Sequence, residues 1–250
     1  MAGGKSLEER LVDRLLLLHL VDYLDKVGAS VHETKLQKLV FLAERELLGN
    51  RIKGFNYNFV RLDFGPFSWE LRKDVQKLLE SNMLKDDPSR GYILTDKARR
   101  ILSRFRRFRK EYADVLEFLE KTAEKYGKMP LTDLLAYVYG LSRPLKGPKV
   151  PIGELKHRTP ILRRMSVKRA IKVVKLSEDE YELLAVLTDP ELEEVFVRYL
   201  NGREILLFRL KGDTGYTAVP LGLLGCVSQG EDLEEALKNV KEAIKCYLEG

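Results

Sequence analysis

Gly215-Tyr216-Thr217-Ala218-Val219-Pro220-Leu221-Gly222-Leu223-Leu224-Gly225-Cys226-Val227-Ser228-Gln229-Gly230, continued by Glu231-Asp232-Leu233-Glu234-Glu235-Ala236, decides how the end of this chain folds. Tyr216–Val219 and Cys226–Ser228 are short apolar runs bounded by glycine, and both read as strands. Asp232 followed three residues later by Glu235 is a capping box, so a helix starts there. Leu233, Ala236, Leu237, Val240, Ala243, Ile244 and Tyr247 recur at helical spacing and form its buried stripe to about Leu248. Upstream, Ile205–Leu210 is a third strand-like run, joined to Tyr216 by the turn Lys211-Gly212-Asp213-Thr214-Gly215. The predicted unit, 203–250, is β-β-β-α. Three strands leave an edge open, which favours a homodimer or strand addition by a partner.

Working outward, charge divides the chain. It has 250 residues, 44% apolar and 33% charged, which suits a folded and heavily charged protein. Residues 176–250 hold 7 Lys/Arg and 16 Asp/Glu, a net of 7 − 16 = −9. With a total of +6, residues 1–175 carry 6 + 9 = +15. A basic body on an acidic end points to two partners of opposite charge, with chance drift in surface charge as the alternative. Glu8, Glu9 and Arg10 stand where the apolar core of a signal peptide would begin. The run Leu15–Leu18 is far short of the ~20 residues that cross a bilayer. The expected location is cytoplasmic, away from membranes. Cys226 and Cys246 make no CxxC and read as small apolar residues, a disulfide between them being the other possibility.

The basic body reads as mainly helical over 1–140. Residues 7–27 are apolar nearly all round and belong in a core, with Gly28 as the stop. Ser30 with Glu33 caps a second helix, whose buried stripe is Leu36, Leu39, Val40, Ala43 and Leu47. Phe55–Leu62 reads as extended, Gly65-Pro66 as a turn, and Ser68 as the cap of a third helix facing Leu71, Val75, Leu78 and Leu79 inward. Trp69 beside that turn reads as core. A hairpin follows, Asn82–Leu84 and Tyr92–Leu94, and then one long helix from Thr95 to about Tyr126 and another near 131–139.

A helix followed by a hairpin is the winged-helix pattern, in which the helix enters a DNA groove and the hairpin touches the flanking backbone. Arg72, Lys73, Gln76 and Lys77 fall on the wet face of the third helix, and Lys85 and Arg90 on the hairpin. Lys97–Lys110 carries eight Lys/Arg and no acid, including Arg99, Arg100, Arg104 and Arg107. Phosphate contacts dominate nucleic-acid affinity, so these residues are the candidate DNA contacts. The bland reading is the solvated face of an amphipathic helix, although such faces mix signs. Residues 141–167, with Pro144, Pro148, Pro151 and Pro160, read as a basic linker. Residues 168–202 read as a strand and two short helices, the second opening at Asp189-Pro190.

Four resemblances attach to these residues. Lys35-Leu36-Gln37-Lys38-Leu39-Val40-Phe41 with Phe64-Gly65-Pro66-Phe67-Ser68-Trp69 resembles the Panacea domain over about residues 10–140, which implies a helical domain serving antitoxins; Tyr92-Ile93-Leu94-Thr95 is similar to the hairpin exit of winged-helix regulators. Gly215, Tyr216, Ala218, Leu223, Gly225, Cys226, Gly230, Glu234, Glu235, Ala236, Asn239, Glu242, Ala243 and Ile244 resemble the HicB antitoxin family over about 203–250. Leu221-Gly222-Leu223-Leu224-Gly225 departs from that family's Pro-x-Leu-Pro-Gly. The resemblance implies a ribonuclease-H-like sheet without catalytic acids that binds a small basic RNA-cleaving toxin. Residues 168–200 are similar to a ribbon-helix-helix unit in reversed order.

The candidate partner-binding residues are Tyr216, Glu231, Asp232, Glu234 and Glu235, whose charge would attract a basic protein. Glu234 and Glu235 as a metal pair is the weaker reading, because neighbours on a helix point about 100° apart. His19, His32 and His157 are scattered, with no Cys or carboxylate at metal spacing, and phosphate-loop and G-x-S-x-G motifs are missing. The expectation is an α+β protein that is not an enzyme and needs no cofactor or metal. It would be a DNA-binding, antitoxin-like regulator with a toxin-like partner, or else a protein-binding scaffold that leaves DNA alone.

Overall fold

The computed structural model describes residues 5–144, 149–164 and 167–249. The chain divides into two compact units, 1–175 and 176–250, at the boundary where its charge changes sign.

The first unit opens with α1 (Leu7–Lys26) and α2 (Glu33–Gly49). Ser6 accepts from the Glu9 amide and Glu9 from the Ser6 amide, closing a capping box on α1. Leu15 to Leu18 are all fully buried, so α1 is the central rod. The predicted cap of α2 is corrected: His32 holds the N-cap position, and the Ser30 hydroxyl donates to the Ser89 carbonyl instead. Then come β1 (Ile52–Lys53), β2 (Phe59–Leu62), β3 (Gly65–Phe67) and α3 (Trp69–Glu80), capped by Ser68. The hairpin is β4 (Leu84–Asp87) and β5 (Gly91–Leu94), paired from Leu84↔Leu94 to Asp87↔Gly91. Gly91 also bridges Val31, and a methyl group at residue 91 would lie 2.2 Å from the Val31 carbonyl oxygen. Only glycine lets the hairpin approach the α1–α2 turn this closely.

The long helix predicted over 95–126 is three: α4 (Asp96–Arg104), α5 (Arg106–Glu111) and α6 (Ala113–Tyr126). The bends fall at Phe105 and Tyr112, and both side chains are buried there. Tertiary burial of aromatics, rather than continuous helix, sets the path of this basic stretch. After α7 (Leu131–Gly140) the predicted linker is also corrected. β6 (Pro160–Leu162) adds to β2, giving the order β3-β2-β6, and β7 (Lys172–Val173) pairs in parallel with β1. Ile152, Ile161 and Leu162 are buried, so this arm is part of the first unit. Pro148 lies outside the described residues.

Buried polar side chains pin the first unit together. Gln37 donates to the Ser68 carbonyl (3.1 Å) and accepts from the Ser68 amide (2.9 Å). Lys38, 1% exposed, donates to the Pro66 carbonyl at 3.0 Å, and burial pulls its amine down to about 8. These two residues of α2 hold β3 and the start of α3. On α1, Asp13 accepts from the backbone and side-chain nitrogens of Asn56 (2.7 and 3.1 Å) and pairs with Lys5. Asp74 accepts from Lys5, Arg14 and the Tyr57 hydroxyl. Trp69 corrects another expectation: it is 51% exposed and meets Phe67 edge-on at 4.3 Å.

The second unit comprises α8 (Glu178–Leu187), β8 (Leu192–Leu200), β9 (Arg203–Leu210), β10 (Tyr216–Pro220), β11 (Ser228–Gly230) and α9 (Leu233–Glu249). The sheet is four-stranded in the order β11-β10-β9-β8, antiparallel throughout. The second helix predicted for 189–202 is therefore a strand. Asn201 (φ 51°) and Gly202 (φ 78°) make a two-residue turn of positive φ, the hairpin type that fits strand twist. This removes the ribbon-helix-helix resemblance, which needs two helices. α9 packs on the sheet through Ala236 and Val240 against Ile205, Leu207 and Ala218. Cys226 is buried and Cys246 is exposed, and both are free thiols, so only the first is a core residue.

Burial lifts the Asp13 carboxyl to about 7, with Asp74 adding to the rise and Lys5 opposing it. Its folded value lies above the ordinary 3.8. The stability it contributes is therefore complete below about pH 4 and lost as pH rises to about 7. Asp13→Asn should gain stability relative to the wild type on going from pH 5 to 8, by roughly 1–3 kcal/mol. Denaturant titrations at the two pH values measure it; a difference that stays flat contradicts the assignment.

Candidate partner-binding cleft and basic surfaces

Two glycines shape the candidate site. Tyr216 pairs with Gly230 across β10 and β11. A methyl group at residue 215 would lie 2.4 Å from the Gly230 carbonyl oxygen. A methyl group at residue 230 would lie 2.2 Å from the Ala236 amide nitrogen. The two strands and the first turn of α9 therefore meet backbone to backbone, which side chains would forbid. Asp232 accepts from the Glu235 amide (2.8 Å), and the Glu235 carboxylate accepts from the Glu231 amide (2.7 Å). The acidic start of α9 is thus capped at the positive end of its own dipole. Asn239 ties α9 to β11 by donating to the Gln229 carbonyl at 2.9 Å.

Beside this junction is a cleft of about 370 Å³ lined by Asp213, Thr214, Gly215, Tyr216, Thr217, Gln229, Gly230, Glu231 and Glu235. Three of the predicted partner-binding residues, Tyr216, Glu231 and Glu235, line it together. Asp232 is spent on capping, and Glu234 is exposed on α9 outside the lining. Sequence reasoning missed Glu194 and Arg209. The Tyr216 hydroxyl donates to Glu194 at 2.6 Å, which raises its pKa. Arg209 lies over the Tyr216 ring at 5.2 Å and pairs with Glu193 (3.1 Å) and Glu194 (3.3 Å). Their only sequence signal was opposite charge on two runs, one of which read as helix. The Leu221–Gly225 stretch that departs from the HicB pattern still turns tightly, with Gly222 (φ 78°) and Gly225 (φ 85°) in the left-handed region. The Gly222 amide donates to Glu182 of α8 at 2.8 Å.

In the first unit several of the predicted DNA contacts pair with acids. Arg72 pairs with Glu33 (3.0 Å), Lys77 with Glu80 (3.2 Å), Arg90 with Asp25, Arg99 with Asp22 (3.0 Å) and Asp25 (2.8 Å), and Arg107 with Glu111. Gln76 donates to Glu80 at 3.1 Å. Lys73, Lys85, Arg100 and Arg104 are exposed. Much of the basic surface therefore carries its own counter-charges, from α1 and α2 as well as from neighbouring turns. His19 is buried, stacked on Phe108 at 6.0 Å and lowered to about 4 by burial. Among the described residues, three or more His, Cys, Asp or Glu are nowhere grouped to hold a metal ion. No helix among them is long and apolar enough to cross a membrane.

No protein-family profile matches the chain, and no solved structure matches it. A curated relative, the UPF0150 protein of Helicobacter pylori strain J99, is 58% identical over 38 residues. The match takes in 15% of this chain and 53% of that protein, so the chain spans about half the length of the relative it matches.

Gly230→Ala should cost the second unit roughly 1–3 kcal/mol, because backbone has to move to admit the methyl group. Hydrogen exchange should show faster opening of 216–240 with 7–140 unchanged. Wild-type exchange in β10, β11 and α9 would contradict the close-approach account.

Proposed function

We propose that the chain is an antitoxin-like regulator whose second unit holds a small basic toxin-like protein at the cleft between Tyr216 and the start of α9. The observation that carries this reading is the cleft itself. The residues of the Gly-Tyr and Gly-Glu-Asp-x-Glu-Glu stretches, far apart in sequence, converge there with exposed carboxylates. The net charge of −9 on residues 176–250 supports it, since a negative surface steers a basic partner in and repels acidic ones. The similarity to the UPF0150 protein and the residue pattern shared with HicB antitoxins support the same class. On this reading the unit masks the toxin rather than catalysing a reaction, uses no cofactor, and works in the cytoplasm.

The first unit would bind DNA. Its charge of +15, the α3–β4–β5 arrangement of helix and hairpin, and the exposed Lys73, Lys85, Arg100 and Arg104 support that role. Its Panacea-like residues, Gln37 and Lys38 with Gly65-Pro66, act as internal pins on this view and leave the outer face for a ligand. The ion pairs of Arg72, Lys77, Arg90, Arg99 and Arg107 favour the second reading, a scaffold in which the first unit holds protein and DNA plays no part.

If a small basic reading frame lies beside its gene, co-expression with that frame tests the toxin reading, and the lack of such a frame counts against it. The full chain should restore growth and co-purify with that product. Glu231→Lys with Glu234→Lys should weaken binding about tenfold or more, as expected for two reversed rim charges. Protection that survives the reversal, or no protection at all, contradicts it.

Salt-dependent retention of a DNA duplex tests the other half. Lys73→Glu, Lys85→Glu and Arg100→Glu together should flatten the slope of log K against log salt by about 2–3, near 0.9 per lost phosphate contact. A chain that leaves duplex unshifted at low salt belongs to the scaffold reading.

A further inference from the structure

β8 is an edge strand, bonded to β9 on one side only. It is nine residues long, and its outer half is wet: Arg198 is exposed and Tyr199 is 73% exposed. Long edges of this kind invite pairing, and proteins usually blunt them with charge or a bulge. The irregularity in this strand lies at Glu193, between Leu192 and Glu194. The five residues beyond it, Glu194-Val195-Phe196-Val197-Arg198, are regular and read as a charge palindrome about Phe196.

We propose that two copies of this chain join through β8, antiparallel and centred on Phe196, to make one continuous sheet of two four-stranded halves. In that register Phe196 faces Phe196 of the second copy. Val195 faces Val197, and Glu194 faces Arg198, each pair occurring twice by symmetry. Directly opposed residues of an antiparallel pair share a face with their Cβ atoms about 5 Å apart, within reach of an ion pair. Glu194, Phe196 and Arg198 already share a face within the strand: Phe196 packs toward α9 and meets Tyr216, and the Arg198 guanidinium lies over the Phe196 ring at 5.8 Å. Sliding the register two residues either way sets Glu194 against Phe196 or Leu200, and Arg198 against Leu192 or Phe196. Of these registers only the Phe196-centred one sets Glu194 against Arg198, so the charges of the regular segment select a copy of the same strand. A two-fold interface is self-complementary by construction, and this sequence has that property. In the single chain Arg198 turns back to donate to the Val197 carbonyl at 3.0 Å, a bond that pairing would exchange for Glu194 of the second copy.

The surface lies on the edge opposite β11, and the inference holds whether or not the acidic cleft takes a toxin. Sedimentation of the full chain should give the mass of two chains. Arg198→Glu and Glu194→Arg should each give single chains, because each sets two like-charged pairs face to face. Mixing those two variants should restore a two-chain species made of one of each. Because Glu194 also serves Tyr216, a second measurement stands apart from that variant. Phe196→Cys in a Cys246→Ser background should form a disulfide-linked dimer under mild oxidation. A wild-type single chain, a two-chain species indifferent to Arg198→Glu, or a Phe196→Cys chain that never cross-links overturns the proposal.

Discussion

Where Gly215, Gly230 and the Ala236 amide meet, three backbone segments come closer than any side chain permits. That contact fixes where α9 starts relative to β10 and β11, and with it the placement of every acidic residue in the first turn of the helix. Asp232 then caps the turn and Glu235 closes back on Glu231, so the carboxylates stand at a helix N-terminus that stabilises their charge. The cleft beside Tyr216 is a consequence of this junction. The hydrophobic seam of Ala236 and Val240 over Ile205, Leu207 and Ala218 supplies the burial that holds it shut.

The first unit uses a different device. Its helices are apolar enough to collapse in several ways, and buried polar side chains choose among them. Gln37 satisfies both backbone groups of Ser68, while Lys38 takes the Pro66 carbonyl. Removing either partner would leave a buried group unpaired, which costs more than the bond itself gains. Asp13 and Asp74 similarly gather Lys5, Arg14, Asn56 and Tyr57 from distant segments. Such groups are costly to bury, and they specify one arrangement of the chain.

How far the sequence discloses this depends on whether a signal is local. The capping box of Asp232 and Glu235, glycine turns and the 3.6-residue period of α9 are local, and the terminal β-β-β-α order was legible from them. The same holds for α1, α3 and the β4–β5 hairpin. Residues 192–200 misled because Pro190 and the following acids imitate a helix start, while the strand is dictated by pairing with β9. The arm at 149–164 misled because prolines signal a break in regular structure but not detachment, and β6 is a short strand that opens on Pro160. In the candidate site, Tyr216 and Glu235 were legible from the HicB-like pattern, and Glu231 from the acidic run beside it. Glu194 and Arg209 were not, since they reach Tyr216 only through a strand that periodicity did not reveal. The basic residues were legible as charge, yet Asp22, Asp25 and Glu33, which pair with Arg99, Arg90 and Arg72, lie on other elements.

Charge and architecture divide at the same place, with +15 on residues 1–175 and −9 on residues 176–250. An acidic unit and a basic unit in one chain suit a protein that meets two ligands of opposite sign, and the central claim is that the acidic one seats its ligand at the Tyr216 cleft. Hydrogen exchange of the full chain with and without the small basic protein proposed as its ligand addresses that claim most directly. The account predicts new protection concentrated in 213–217 and 229–235. Protection confined to the first unit, or spread evenly with none at the cleft, would contradict it.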